Sequence, residues 1–393
     1  MPNPQPDAYT LPPGGVLYAG RENPADRFLS ISLFSEDAGV PHDTADQTFV
    51  LSLHASGGSS NTTGRQYRAN VASSLAYDGE DVFNFSTLRG TAALGVNVCL
   101  LRPVDDYGSY PSAVRRESFW LGFTGMGSVD LNLITERRVD ALIAWAKGNV
   151  PNLNPDRRCL IGGSMGAWGA ITYGIRRASE FAALYPSRPR WRYNSGASVS
   201  IPNWPTGSVT HPAESAPSLA AIDGGGSSSD RMDGIAYVAN TANTVPWVGW
   251  CIGRNDGFAP FSDSVAAVAA LRATKRGFAF VWNDGNHTVG NIISQITNSY
   301  PYGTFEVGKG YPLFTNHSGD ADPAVDLVGG INEGLSFRSV VESPTAWTCE
   351  VTSILGARTV DIEPISSTFT ATVTPVAVTI PAANTWVPVS FTA

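Results

Sequence analysis

The sequence predicts an α/β fold, with a mostly parallel sheet flanked by helices, followed by a smaller all-β, sandwich-like domain. Three observations predict it. Between residues 46 and 300 short apolar runs alternate with stretches of helical periodicity, the signature of βαβ units. Beyond about residue 300 the helical pattern ends, and short β-like runs follow one another, spaced by turns. At 393 residues the chain is also too long for one typical core. The expected division is 1–45, a β segment joined to the larger domain; 46–300, the α/β domain; and 301–393, the β-sandwich.

The elements follow in order. The runs 15–20 and 28–34, separated by polar turn residues, predict an antiparallel pair at one edge. Central strands are expected at 48–53, 96–101, 159–161, 195–201, 245–252 and 278–282. Within 128–148, Val139, Leu142, Ile143 and Ala146 recur at helical spacing, with Glu136, Arg137, Arg138 and Asp140 on the remaining positions. The alanine-rich run 261–276 predicts a second helix, with Val265, Val268, Ala269 and Arg272 on one side and Gly277 as its stop. Periodicity lapses between 202 and 243, a Pro-, Gly- and Ser-rich stretch that reads as a functional loop or lid. Late strands are expected at 337–341, 347–354, 359–362, 368–378 and 387–391.

Composition narrows the function classes. Hydrophobic residues make up 42 % and charged residues 15 %, so the chain has the means to bury a large core. A net charge of −8 with no basic cluster argues against nucleic acid as a partner, because phosphate binding needs grouped Lys and Arg. No apolar run approaches the length of a membrane span, and no basic segment followed by an apolar one marks a signal peptide at the start. Scarce lysine with abundant Gly, Ser, Thr and Pro predicts an extracellular or secreted protein. Cys99, Cys159, Cys251 and Cys349 each fall in a strand-like run and lack ligand spacing, so they read as buried hydrophobes, with neither disulfide nor metal expected. Neither length nor charge sets the oligomeric state.

The decisive motif is Gly162-Gly163-Ser164-Met165-Gly166. It follows the apolar run ending at Ile161 and opens the helical stretch from Ala167, and that strand-turn-helix context turns a common G-x-S-x-G into a strong signal. A serine on so sharp a turn needs small neighbours two residues to either side, which Gly162 and Gly166 supply. A serine hydroxyl also needs a base. Asp256 follows the apolar run 245–252, and His287 follows the run 278–282, so both stand at strand ends. Asp284 lies too near His287 and past the wrong strand, and Asp263 reads as a helix cap. His54 sits beside a glycine-containing loop, while His42, His211 and His317 follow no central strand.

On these residues, 46–300 resembles the α/β-hydrolase superfamily, with a local likeness to esterases and prolyl-oligopeptidase-like enzymes. The runs Glu136-Arg-Arg-Val-Asp-Ala-Leu-Ile-Ala-Trp145 and Asn154-Pro-Asp-Arg157 are similar to the helix and turn that precede the nucleophile there. The resemblance implies acyl-transfer hydrolysis without metal or organic cofactor, with Ser164 as nucleophile, His287 as general base and Asp256 orienting the imidazole. It also implies an oxyanion hole from the backbone N–H of Met165 and from Ser56 or Ala55, in a loop where Ala55 stands in place of the usual glycine. Trp120, Trp168, Trp204 and Phe258 are the candidate substrate-binding aromatics, against the plainer reading that they pack. A carboxylic ester, polymer-linked on a polysaccharide or polyester, is the expected substrate. A serine peptidase and a non-catalytic binding protein on the same scaffold stand as alternatives.

Overall fold

The computed structural model describes residues 5–10, 15–23, 26–35, 47–53 and 97–102, the helical positions 139, 140, 143, 144 and 147, and residues 153–192, 233–290 and 292–393. Residues 1–4 and the stretches between these, including 54–96, 103–138 and 193–232, lie outside the description. Chain order gives β1 (Gln5–Thr10), β2 (Gly15–Asn23), β3 (Asp26–Ser35), β4 (Gln47–Leu53), β5 (Asn97–Arg102), β6 (Leu153–Gly163) and helix α1 (Met165–Thr172). Then come β7 (Ala183–Ser187), α2 (Gly234–Ala239), β8 (Trp247–Gly253), α3 (Phe261–Ala273), β9 (Phe278–Asn283) and the short α4 (Ser294–Thr297). The C-terminal part holds β10 (Tyr311–Thr315), β11 (Gly329–Ile331), β12 (Leu335–Glu342), β13 (Ala346–Ser353), β14 (Arg358–Ile365), β15 (Val376–Ile380) and β16 (Val387–Thr392).

Ten strands form one sheet in the order β1-β2-β3-β5-β4-β6-β7-β8-β9-β11. From β5 to β9 every pairing is parallel, while β1, β2 and β3 extend one edge antiparallel and β11 closes the other. The expected antiparallel pair of the N-terminal runs is thus β2 with β3, and β1 adds a strand that periodicity did not signal. Chain progress reverses beside β4: β5 lies on one side of it, and β6 to β9 run away on the other. In open parallel sheets such a reversal leaves a crevice at the carboxyl ends of the strands, where sites form.

The strand beside β6 was not among those expected. Ala183–Ser187 takes that central place, and the run 195–201 lies outside the described residues. All five residues of β7 and all seven of β8 are buried, as parallel strands covered on both faces must be. Strict alternation splits the side chains between two cores. Phe49, Leu51, Leu160, Leu184, Trp250, Ile252, Phe280 and Trp282 face a layer built by α1, α2 and α3 with Val139 and Ile143. Val50, Cys159, Ile161, Tyr185, Cys251, Ala279 and Val281 face the other way. That second face is covered by Ile293, Ile296, Tyr300, Tyr302 and Phe305, and by C-terminal residues including Phe314, Leu335, Phe337 and Trp347.

The C-terminal strands make two antiparallel sheets, β10-β14-β15 and β12-β13-β16. Their inward residues, among them Trp347, Cys349, Val351, Val360, Ile362, Val378, Val389 and Phe391, share one core with the second face of the large sheet. The strand expected over 368–378 shrinks to Val376–Ile380, and β10 and β11 are additions; Gly329-Gly330 in β11 carries no β signal and pairs only because β9 offers an open edge.

Helix α3 also departs from its reading. Its buried residues are Asp263, Ser264, Ala267, Val268 and Leu271, so the inward stripe is rotated away from Ala269 and Arg272, which face solvent. An alanine-rich helix has a weak apolar contrast, and packing against Trp250 and Phe280 chooses the face. The helix ends at Ala273, and the left-handed residue after it is Lys275 (φ 51°), not Gly277.

Candidate active site

Strand β6 delivers Ser164 to the carboxyl edge of the sheet, and α1 starts at the next residue. The turn between them is strained: Ser164 has φ 49° and ψ −118°, a conformation non-glycine residues rarely adopt. Two bonds hold it there. The Ser164 N–H donates to the Ser187 carbonyl of β7 at 3.0 Å, and the Trp168 N–H donates to the Ser164 carbonyl at 3.1 Å. Gly162 is required by proximity, because a Cβ there would sit 2.3 Å from the Gly166 carbonyl oxygen. As first residue of α1, Met165 carries an N–H that the helix itself leaves without a partner, pointing out of the helix start beside Ser164.

Asp256 and His287 arrive on loops that extend two parallel strands. Backbone pairing of β8 with β9 continues past both, with Arg254 N–H on the Asn283 carbonyl at 2.7 Å and Asn255 N–H on the Gly285 carbonyl at 2.9 Å. The loops touch so closely that a Cβ on Gly253 would lie 2.3 Å from the Gly285 carbonyl oxygen. Asp256 is buried, and its Oδ1 accepts the N–H groups of Phe258 and Ala259 at 2.8 and 2.9 Å. Its Oδ2 lies 2.7 Å from Nδ1 of His287. The other ring nitrogen, Nε2, lies 2.7 Å from Ser164 Oγ. The structure therefore brings together the three side chains singled out in the sequence, over separations of 123 and 31 residues. With Asp256 accepting at Nδ1–H, the imidazole presents an acceptor nitrogen to the hydroxyl.

The remaining candidates divide. Phe258 is 55 % exposed and meets the His287 ring edge-on at 5.1 Å between centroids. Trp168 is a correction: it is 3 % exposed and belongs to the core beneath α1, with the Arg190 guanidinium 5.5 Å from its ring. Four residues past the serine, one turn into α1, the helix has turned inward and its side chain meets the sheet. Ser56, Ala55, Trp120 and Trp204 lie outside the described residues.

Sequence reading missed Arg188. It follows β7, has φ 60°, is 2 % exposed, and its Nη1–H donates to the main-chain carbonyl of His287 at 2.6 Å. An arginine directly after an apolar run was the available signal, but 183–187 was not among the expected strands, so Arg188 had no strand end to mark it. The thiols are structural: Cys159, Cys251 and Cys349 are free and buried, burial raises all three, and Cys349 is pushed up to about 12.

No protein-family profile matches the chain, and no curated protein sequence does. Solved structures do. An S-formylglutathione hydrolase from Agrobacterium tumefaciens superposes with a TM-score of 0.50 at 14 % identity, over 74 % of this chain and 96 % of that one. A ferulic acid esterase superposes with a TM-score of 0.45 at 15 % identity, over 72 % and 95 %. A fluorophosphonate-binding serine hydrolase from Staphylococcus aureus gives 0.46 at 14 %, over 73 % and 98 %. Five parallel pairings, a serine on a strained strand-to-helix turn, and an Asp and a His after the later strands β8 and β9 give this chain the α/β-hydrolase fold.

Proposed function

We propose that the protein hydrolyses carboxylic esters through an acyl-Ser164 intermediate. The observation that carries this reading is the unbroken chain of short contacts from Asp256 Oδ2 through both nitrogens of His287 to Ser164 Oγ, each 2.7 Å. In the first half-reaction Oγ bonds to the ester carbonyl carbon while its proton passes to His287 Nε2. The tetrahedral oxyanion accepts a hydrogen bond from the Met165 N–H, and the intermediate collapses as Nε2 returns the proton to the departing alcohol. Water then repeats the sequence on the acyl-enzyme and releases the acid. Asp256 stays ionised, fixes the tautomer and stabilises the imidazolium.

Substrate preference is read from the rim. Phe258 and Val289, both largely exposed, flank His287. Beyond them the loop bearing the exposed Val325, Leu327 and Val328 is pinned by the Arg254 guanidinium, which donates to the carbonyls of Pro323, Ala324 and Asp326. Arg254 is two residues from Asp256, so the C-terminal region supports an apolar border close to the site. Such a border favours polyesters and apolar acyl groups over sugar-linked acetates.

Two measurements test the proposal. A fluorophosphonate probe should label the wild type and leave Ser164→Ala unlabelled; a wild type that takes no label returns the chain to the non-catalytic alternative. Turnover should be high on p-nitrophenyl esters and polyester films and low on peptide anilides; the reverse order would assign it to the peptidases.

A further inference from the structure

We infer that Arg188 is a positioning residue that holds His287 within reach of Ser164. The inference rests on the hydrolase reading, since it gives Arg188 a role only if His287 is the base. A single backbone step after β7 touches every part of the site. The Ser187 carbonyl accepts the N–H of Ser164 at 3.0 Å, the Arg188 N–H donates to the Cys251 carbonyl of β8 at 2.7 Å, and Arg188 Nη1–H donates to the His287 carbonyl at 2.6 Å. The nucleophile turn, the strand that leads to Asp256 and the loop that carries the base are thereby referenced to one point.

Two unfavourable features coincide at this residue. Its φ of 60° is a backbone conformation that non-glycine residues rarely adopt, and its guanidinium is taken out of water, the residue being 2 % exposed. A residue that only filled space would carry neither. The side chain spans a strand: a guanidinium is long and rigid enough to reach a carbonyl on the loop after β9, with β8 lying between β7 and β9. The bond falls on the carbonyl of His287 itself, so it sets the Cα from which the imidazole projects. Proton transfer between Oγ and Nε2 depends steeply on that placement: a displacement of about 1 Å is able to remove on the order of 10² in rate.

The test uses Arg188→Gly, Arg188→Met and Arg188→Lys in the full chain. Glycine suits the left-handed backbone and leaves a guanidinium-sized space; methionine keeps the apolar stem without a donor; lysine restores one donor. Active sites are counted with a fluorophosphonate, and kcat per titrated site and KM are measured on p-nitrophenyl butyrate. In Arg188→Gly and Arg188→Met kcat should fall about 100-fold with KM almost unchanged, with Arg188→Lys in between. Millimolar methylguanidinium should restore about tenfold of the loss in Arg188→Gly and do nothing for the wild type. A kcat per site equal to the wild type, or a loss that methylguanidinium leaves untouched, overturns the inference. If Arg188→Gly does not fold, Arg188→Met decides: reduced kcat at constant KM supports the role, and wild-type kcat removes it. A wild type without fluorophosphonate label instead sinks the hydrolase reading itself, so the two failures are distinguishable.

Discussion

The serine turn and the two loops that face it reach the same point by opposite means. At Ser164 everything is local: a strand, a backbone bent to φ 49°, and a helix whose first residue is the next one. Its demands on side chains are short-range too, as the 2.3 Å approach of the Gly166 carbonyl oxygen to a Cβ at Gly162 shows. Asp256 and His287 sit on loops that owe their position to each other, through continued backbone pairing and the close contact of Gly253 with Gly285. The difference teaches where each half is vulnerable. Enlarging Gly162 disrupts the turn within itself, whereas the equally tight contact at Gly253 displaces one loop against the other and so acts through alignment.

That contrast is open to attack at several points, taken from the largest expected effect down. Ser164→Ala should lower kcat by about 10⁶, measured on p-nitrophenyl esters, while the melting temperature holds or rises because the strained position loses no packing. Asp256→Asn should lower kcat by about 10⁴ with the fold intact. Asparagine keeps an oxygen for the Phe258 and Ala259 N–H groups but offers its amide to Nδ1, leaving the wrong tautomer toward Ser164. Gly253→Ala should reduce kcat by about 10- to 100-fold and shift the pair of loops, seen as a lower rate of fluorophosphonate labelling at a still cooperative melt. If Gly162→Ala proved as mild as Gly253→Ala, the distinction between the two halves would not stand.

Smaller effects sharpen the picture. Trp168→Phe should lower stability by about 1–3 kcal/mol in urea unfolding and leave KM unchanged across ester substrates, as a core residue would; a substrate-dependent KM would move it back to the rim. At pH 8 the three described thiols should resist alkylation in the native protein and react after unfolding. Burial raises each above its ordinary value, Cys349 to about 12, so the folded state holds them neutral well past the working pH, and the native protein should show no thiolate reactivity until it opens.

Much of the site was legible in the sequence because its signals are local. The Gly-x-Ser-x-Gly run between an apolar segment and a helical one has one economical explanation, and an acidic residue and a histidine directly after later apolar runs are placed by strand ends alone. The strands themselves were readable where both faces are buried, as in Trp247–Gly253 and Phe278–Asn283. Arg188 was not, since nothing local distinguishes an arginine that folds back beneath a sheet from one in solvent. Trp168 stood open between packing and binding for the same reason: it follows Ser164 closely on the chain, while its direction is set by the helix turn.

The amino-acid sequence by itself determined the alternation of strands and helices, the strained serine turn, the order of Ser164, Asp256 and His287 and the late β region. These depend on periodicity and on the conformational limits of glycine and serine, which act within a few residues. Only the tertiary structure decided that β7 lies beside β6, that Gly329–Ile331 closes the sheet, that the C-terminal strands cover its second face, and that hydroxyl, imidazole and carboxylate meet at 2.7 Å. Those outcomes rest on contacts between segments far apart in the chain, whose geometry is fixed when apolar faces find one another and the buried polar groups must then be paired.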